Sequence, residues 1–374
     1  MSAAAQRAGA AARPRGIVER LGPGNVRLLA LLAVFALIVL FFASQIDHYL
    51  NARLFNRIST SVAIVAIVAV GQTFVVLTRN IDLSVGSIVG CVAYFTGLFL
   101  IAFPGTPAPL VPLVSMGMGL AFGAVNGLLV SRLGLPSIIV TLATLAIFRS
   151  LLVESSDGSS ITTGSLPDWL IEFSRLDAFG IGELRFRWLV VIAILVVLLA
   201  HVFLTRFRAG RRFYAVGSNP DAAEFAGLDA RGTVLRAFLL SGALAGLAGF
   251  LFLSRFGNIT VVAGLGLELK SVGAVVVGGV NIFGGSGSVI GTLIGAALID
   301  LIDTSLVRWE LVSEFWRDAV LGFLILLAVA TDTIMSRRLL RVRAKDDLGT
   351  ADQEPEAAHP DAIGSAPMRG EAAT

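Results

Sequence analysis

The chain has 374 residues, of which 56% are hydrophobic and 15% are charged, and its mean hydropathy is +0.84. Soluble domains carry charged side chains at roughly a quarter of their positions, so this composition excludes an ordinary soluble protein and indicates a chain that faces lipid. The net charge of +3 does not indicate nucleic-acid binding, because the arginines lie mostly at the edges of apolar runs, as the positive-inside rule predicts. A single cysteine and three scattered histidines exclude an intrachain disulfide and predict no metal site.

The chain order predicts a leader, a membrane domain and a tail. Residues 1–26 are basic and rich in alanine, and we expect a disordered cytoplasmic leader there. Residues 27–335 form the predicted membrane domain, and the polar residues 344–374 form a predicted disordered tail. About 20 apolar residues are needed to cross the hydrocarbon, and the predicted spans are 27–44, 60–78, 84–103, 109–130, 136–153, 186–204, 234–257, 268–283, 287–307 and 313–334.

The fold class predicted from these runs is an all-α polytopic membrane protein with about ten transmembrane helices. The weakest span is 268–283, because Glu268, Lys270, Gly278 and Gly279 interrupt it. We expect a broken or re-entrant segment there, which is tolerated where protein or water covers the backbone.

The distribution of arginine predicts the orientation. With ten spans, both termini lie in the cytoplasm, and so do the links near Arg79 and Arg132 and the polar stretch 205–231. The acid-rich loop between spans five and six lies on the outer side. The expected location is therefore the cell membrane, with many passes.

Glycines spaced by four residues predict close helix packing. They are Gly119, Gly123 and Gly127 in one span, Gly287, Gly291 and Gly295 in another, and Gly242 with Gly246 in a third. Such faces let helix backbones approach each other in lipid. The similarity between Gly86-Ser87-Ile88-Val89-Gly90 and Gly287-Ser288-Val289-Ile290-Gly291 also predicts an internal duplication in parallel orientation.

The stretch 205–231 predicts one short helix outside the membrane that docks a partner. Ser218 or Asn219 can be its N-cap and Pro220 its first residue, Asp221 and Glu224 suit the positive helix end, and Gly227 can close it.

Polar residues in or beside the spans are the candidates for a solute pathway, since polar groups at membrane depth usually face a bundle interior or a pathway. They are Gln72, Thr73, Asn80, Asp82, Asn126, Thr141 and Thr144. Two alternatives stay open: Asp82 can simply cap a helix, and Asn126 can form an interhelical hydrogen bond. Neutral amides and hydroxyls suit an uncharged polar solute such as a sugar. No Walker A loop or zinc-hydrolase motif is present, so we expect a transport subunit and not an enzyme.

Several segments, taken in order, resemble the membrane permease of ribose/xylose-type bacterial ATP-binding cassette (ABC) sugar importers. They are GQT at 71–73, RNIDLSVGS at 79–87, NG at 126–127, PSIIVTL at 136–142, AVGSNPDAA at 215–223 and the glycine-rich stretch 278–291. The resemblance implies a homodimer or a pair with a second permease, a cytoplasmic ATPase that carries ATP and magnesium, and an extracytoplasmic solute-binding protein. It also implies that the ATPase-coupling residues are Ser218, Asn219, Pro220, Asp221, Ala222, Ala223, Glu224 and Gly227.

Two rival functions remain at this point. The same machinery can carry a nucleoside or a branched-chain amino acid, although the IDLSVG segment resembles the sugar permeases. A stand-alone ion-coupled carrier would place essential acids in the middle of spans, whereas here the acids cluster at span ends.

Overall fold

The structure, a computed structural model, describes residues 23–309, 316–327 and 330. Most of the predicted leader and the whole predicted tail lie outside the described residues. The first helix begins at Pro23, inside the predicted leader. The described residues up to 327 belong to one compact unit.

Twelve named helices lie within the described residues. They are α1 (Pro23–Gln45), α2 (Ala52–Leu77), α3 (Val85–Ala102), α4 (Leu110–Ser131), α5 (Ser137–Ser156), α6 (Asp168–Arg175), α7 (Trp188–Arg206), α8 (Arg208–Ser218), α9 (Pro220–Phe225), α10 (Ala230–Phe256), α11 (Leu267–Val277) and α12 (Val289–Arg308). Eight of them, namely α1 to α5, α7, α10 and α12, are long and apolar enough to cross a membrane. These eight match eight of the ten predicted spans, which confirms an all-α polytopic membrane protein.

The predicted span 268–283 is a short helix followed by an irregular turn. Helix α11 has 11 residues, about 17 Å of helix, and in the turn after it Gly279, Gly284 and Gly285 have positive φ angles. The chain still passes from one edge of the bundle to the other, because Ile259 pairs with Ile161 in the loop between α5 and α7 and the Gly285 N–H donates to Leu77 O at the end of α2. The predicted span 313–334 lies partly outside the described residues, where 317–327 are helical.

Helix α2 lies at the centre of the bundle. Its residues from Ala63 to Leu77 are all buried, and α7, α10, α11 and α12 pack around it. A helix that is apolar all round is buried on every side. In contrast, α4, α5 and α7 expose leucine and isoleucine side chains such as Leu113, Ile139 and Leu199, as helices at the lipid boundary do.

The glycine face of α4 packs directly on the glycine face of α10. A Cβ atom at Gly119 would overlap the backbone of Gly242 and Gly246, and one at Gly123 would overlap Phe238 O. A Cβ at Gly127 would lie 2.8 Å from a methyl carbon of Leu235. The two helices therefore approach at backbone distance, which only a missing side chain permits.

The second glycine set is divided between a helix and a turn. Gly291 and Gly295 of α12 lie against Gly278 and Ala274 at the end of α11. Gly287, expected on the same helical face, precedes α12 and packs against Val280. Gly86 of the similar segment lies within α3, so the two segments do not start their helices at equivalent positions, and the predicted duplication stays a prediction.

A β-hairpin in the loop between α5 and α7 was not expected. Strands β1 (Asp177–Ile181) and β2 (Leu184–Arg187) pair antiparallel across Gly182 and Glu183. Gly182 has a φ angle of 60°, which suits a two-residue hairpin turn.

Candidate functional site

The polar stretch 205–231 contains two short helices where one was predicted. Helix α8 starts two residues after α7 ends, and α9 follows it with Asn219 between them. In α8, Gly210, Phe213 and Val216 are buried whereas Arg208, Arg211 and Arg212 are exposed. Buried residues at this three-residue spacing indicate an amphipathic helix, and that signal could have revealed α8 in the sequence.

Helix α9 has the start and stop that the sequence predicts. The Asn219 side chain accepts a hydrogen bond from the Ala222 N–H at 3.0 Å, which makes Asn219 and not Ser218 the N-cap, and Pro220 is the first residue. The N–H of Gly227, where φ is 78°, donates to Glu224 O at 2.9 Å. The caps satisfy backbone groups that a helix of six residues would otherwise leave open, so α9 is a defined element and not a loose loop.

The side chains of α9 face in different directions. Ala223 is 5% exposed and packs with Val216, Leu228 and Ala230, so Ala223 holds the stretch together from inside and is not on its outer surface. Asp221, Ala222 and Glu224 are exposed. Phe225, which the sequence argument did not single out, is 94% exposed.

The junction between α8 and α9 lies directly against the end of α2 and the glycine-rich turn. A Cβ atom at Gly217 would overlap the Leu77 carbonyl oxygen and lie 2.6 Å from the Gly285 nitrogen. The same Leu77 oxygen accepts the hydrogen bond from the Gly285 N–H at 3.0 Å. Three parts of the chain thus meet at backbone distance below α9.

Five of the seven pathway candidates form one buried polar cluster. The Gln72 amide, oriented to satisfy both of its polar atoms, donates to Asp82 O at 3.2 Å and accepts from the Asp82 N–H at 3.1 Å. The Asn126 Nδ2 donates to Ser84 Oγ at 2.7 Å, and its Oδ1 accepts from Thr144 Oγ1 at 2.7 Å. Thr141 Oγ1 donates to Ile81 O at 3.3 Å and to Ser137 O at 2.8 Å. The cluster links α2, α4 and α5 to the turn between α2 and α3.

Asp82 caps the start of α3. Its Oδ1 accepts from the backbone N–H of Ser84 at 3.0 Å and from the Ser84 hydroxyl at 2.7 Å. Burial raises the pKa of Asp82 to about 6, although the two hydrogen bonds from Ser84 oppose the rise. Asn126 forms a hydrogen bond between helices, with Thr144, as the second of the two alternatives in the sequence analysis stated. The role of these residues in a solute pathway stays a prediction.

The remaining two candidates lie apart from the cluster. The Thr73 and Thr292 hydroxyls share a hydrogen bond of 2.9 Å between α2 and α12. Asn80 donates to Thr78 O at 2.8 Å in the turn after α2.

Two further polar groups, Arg149 and Asp303, join distant segments. The Arg149 guanidinium donates to the carbonyl oxygens of Val261 and Ala263 at 2.8 and 2.7 Å. Asp303 forms ion pairs with Lys270 at 2.6 Å and with Arg317 at 2.7 Å. Their partners lie 14 to 114 positions away in sequence, so local patterns could not identify them.

Comparison with known proteins gives one family. A family model described as branched-chain amino acid transport system, permease component, matches residues 54–329. The autoinducer 2 import system permease protein LsrC of Photorhabdus luminescens is 35% identical over 323 residues, which are 86% of this chain and 93% of the relative. LsrC of Escherichia coli O9:H4 (strain HS) is 38% identical over 307 residues, 82% of this chain and 86% of the relative. No solved structure matches the chain.

A third relative, LsrC of Yersinia enterocolitica serotype O:8, is 37% identical over 306 residues, which are 82% of this chain and 81% of the relative. The resemblance to ribose/xylose-type permeases is confirmed by these matches, and the eight candidate spans agree with a membrane location. The chain is therefore a transport subunit of the membrane, and it belongs to the family of ABC importer permeases.

Proposed function

We propose that this permease forms the translocation path for a small sugar-like solute, of the same kind as autoinducer 2, delivered by an extracytoplasmic binding protein. The support is the set of relatives at 35–38% identity, which are autoinducer 2 import permeases. Two rival functions predicted from the sequence, import of a nucleoside and import of a branched-chain amino acid, are not what these relatives are named for. The family description mentions branched-chain amino acids, but the individual relatives that match over 82–86% of this chain favour the sugar-like solute.

The orientation that supports this proposal places the termini and the stretch 205–231 in the cytoplasm. Arg206, Arg208, Arg211 and Arg212 are exposed at the end of α7 and in α8, where the positive-inside rule favours the cytoplasm. The hairpin and α6 then lie on the outer side, where a binding protein docks.

The observation that carries the proposed coupling role is the exposure of Phe225. A phenylalanine that is 94% exposed on a capped, braced helix offers a large apolar contact to a partner, and aromatic residues dominate the binding energy of interfaces. The partner is a cytoplasmic ATPase in a separate chain, which binds ATP and magnesium, and α9 receives its closing motion. A short rigid element can pass such a shift between two discrete arrangements.

The complete pore needs a second permease chain, either a copy of this one or a related one. The exposed apolar side chains of α4, α5 and α7 offer a surface for lipid or for a partner chain. The mass of the purified complex in mild detergent measures this stoichiometry.

The experiment that tests the coupling role is affinity purification of the full-length chain from its native membrane. We expect an ATPase to co-purify, and Phe225→Ala to weaken its binding by roughly 30-fold or more, as the loss of an interface anchor worth 2 kcal/mol or more does. Phe207→Ala is the matched control, since Phe207 is also exposed (57%) but lies outside α9. Equal recovery with both variants would contradict docking at α9.

The purified complex also tests the solute. Reconstituted with its binding protein, it should accumulate autoinducer 2 or a small sugar when ATP is supplied. Accumulation of leucine, or accumulation by the permease alone under an ion gradient, would overturn the proposal.

A further inference from the structure

An apolar groove opens at the membrane edge where α7 ends and α10 begins. Its volume is about 380 Å³, and its walls are Phe203, Phe213, Leu239 and Leu240, with Ala209 and Thr233. Two arginines, Arg212 of α8 and Arg236 of α10, complete the lining. The groove thus combines a hydrocarbon surface with two guanidinium groups.

The groove is built from rigid parts. Phe203, Phe213 and Phe74 form a cluster in which ring centroids lie 5.3 to 6.2 Å apart. A Cβ atom at Gly210 would overlap the Phe203 carbonyl oxygen, so α8 folds back tightly on the last turns of α7. The α8 side of the groove is therefore preformed.

The groove extends from the edge of the membrane, where lipid headgroups lie, into the hydrocarbon region. Helix α7 ends at Arg206, three residues beyond Phe203, and α10 begins at Ala230. Leu240 lies ten residues into α10, about 15 Å along the helix axis, and so reaches into the hydrocarbon. Arg212 and Arg236, which are exposed, lie nearer the edge, where lipid headgroups are.

The charge at the mouth of the groove is not neutralised by the protein. Arg236 approaches Asp229 only at 3.8 Å, and both side chains are more than half exposed, so this pair contributes little. Within the part of the chain that the structure describes, no ion pair to Arg212 is formed. Between positions 205 and 236 the sequence holds six arginines and three acids, which leaves this edge positive.

We propose that this groove binds one anionic phospholipid, with an acyl chain along Phe203, Leu239 and Leu240 and the phosphate between Arg212 and Arg236. Basic pockets between spans at a membrane edge hold anionic headgroups in this way, and guanidinium groups suit phosphate geometry. Apolar walls that open towards lipid favour an acyl chain over a soluble anion. This inference goes beyond the proposed transport function and does not depend on the solute.

The test measures which lipids stay on the full-length permease. The protein is reconstituted in vesicles of phosphatidylcholine and phosphatidylglycerol, extracted in mild detergent, and weighed by native mass spectrometry with its retained lipids. We expect the wild-type chain to retain phosphatidylglycerol preferentially. Each arginine removed should weaken that preference about fivefold, so the double variant Arg212→Gln/Arg236→Gln should lose most of it.

Two further variants separate the groove from general surface charge. The double variant Arg206→Gln/Arg208→Gln removes the same charge from the same edge but leaves the groove lining intact, so it should keep the preference. Ala209→Trp fills the groove and keeps both guanidinium groups, so it should lose the retained lipid. Thermal melting of each variant confirms that it is folded.

Four outcomes would overturn the proposal. One is an unchanged lipid preference in Arg212→Gln/Arg236→Gln, and another is an equal loss in Arg206→Gln/Arg208→Gln, which would indicate surface potential alone. The third is displacement of the lipid signal by glycerol phosphate in solution, which would assign the site to soluble phosphates. The fourth is a groove variant that keeps its lipid but has a changed oligomeric mass or no longer binds the ATPase. That result would assign the groove to a protein partner.

Discussion

The guanidinium of Arg79 connects the end of α2 to Gly217 at the end of α8. Its Nε donates to Gly217 O at 2.6 Å, and its Nη2 donates to Ser218 O at 2.5 Å. These carbonyl oxygens terminate α8, where the helix dipole favours a positive charge. The next residue, Asn219, is the N-cap of α9, so Arg79 connects the start of α9 to the end of α2, the most buried helix of the bundle.

The first prediction follows from this link. Arg79→Gln removes two charge-assisted hydrogen bonds at the bundle edge and should lower ATP-driven uptake by roughly 2- to 30-fold, the range for residues that carry coupling between sites. ATPase recovery in affinity purification should stay unchanged, because Arg79 is not on the outer surface of α9. Arg132→Gln is the control, since Arg132 is an exposed arginine in the next predicted cytoplasmic link. Full uptake by Arg79→Gln would show that coupling bypasses this link.

The second prediction concerns the opposite faces of α9. Ala223→Glu places a carboxylate among Val216, Leu228 and Ala230 and should destabilise the stretch 205–231 by about 2 kcal/mol or more, because a buried unpaired charge is costly. Limited proteolysis should cut this stretch faster than in the wild-type chain.

The control is Ala222→Glu, the same substitution at the neighbouring exposed position. It should leave the rate of cleavage unchanged. Equal cleavage of both variants would mean that Ala223 is not buried in the membrane-bound protein.

The third prediction concerns the contact between α4 and α10. Gly119→Ala places a methyl group on the backbone of Gly242 and Gly246 and should lower the free energy of unfolding by about 1–3 kcal/mol, as overpacking does. Gly117 lies on the same helix, and a Cβ there meets no atom within 4 Å. Gly117→Ala should therefore leave the melting temperature unchanged in the same assay. A loss of stability as large as that of Gly119→Ala would contradict the close packing.

The features that sequence reasoning predicted are those encoded locally. The caps of α9 depend on Asn219, Pro220 and Gly227, which lie within nine residues, and the glycine faces of α4 and α10 repeat every four residues along one helix. Both features could be predicted without knowledge of the fold, because each depends only on certain residue types at a short spacing along the chain.

The features that sequence reasoning missed depend on contacts between distant segments. Nothing near Ala223 indicates that it faces Val216 and Ala230, and nothing near Gln72 indicates that its amide meets the Asp82 backbone. The exposure of Phe225 is equally hidden, since an aromatic residue beside a span is more often buried. Whether a side chain faces the interior or the surface depends on the tertiary structure, so it could not be predicted from residue type alone.

The fourth prediction tests whether Asn126 is a structural residue. Asn126→Ala removes the acceptor for Thr144 and the donor to Ser84, and it should cost roughly 1–2 kcal/mol of stability. The KM for solute should stay unchanged, because the residue is 0% exposed and bonded within the bundle. Radiolabelled uptake and thermal melting measure the two quantities, and a raised KM with unchanged stability would instead place Asn126 in the pathway.

The fifth prediction concerns the charges that join α11 to α12 and to residue 317. Asp303 is 9% exposed at its side chain and pairs with both Lys270 and Arg317. Removing one member of a buried ion pair costs roughly 3–5 kcal/mol, because the remaining charge is left without compensation. Asp303→Asn leaves both Lys270 and Arg317 without their carboxylate partner, so it should lower the melting temperature strongly.

The matched variant Lys270→Met separates this effect from simple loss of an ion pair. It leaves Asp303 paired with Arg317 and keeps a side chain of similar length at position 270, so its loss of stability should be clearly smaller than that of Asp303→Asn. Thermal melting of both variants in the same detergent measures the two losses of stability. The loss should be larger for Asp303→Asn because Asp303 is the shared partner of both cations. If Lys270→Met were the more damaging change, Asp303 would not be the residue that holds α11 against α12, and the lysine would need another buried anion.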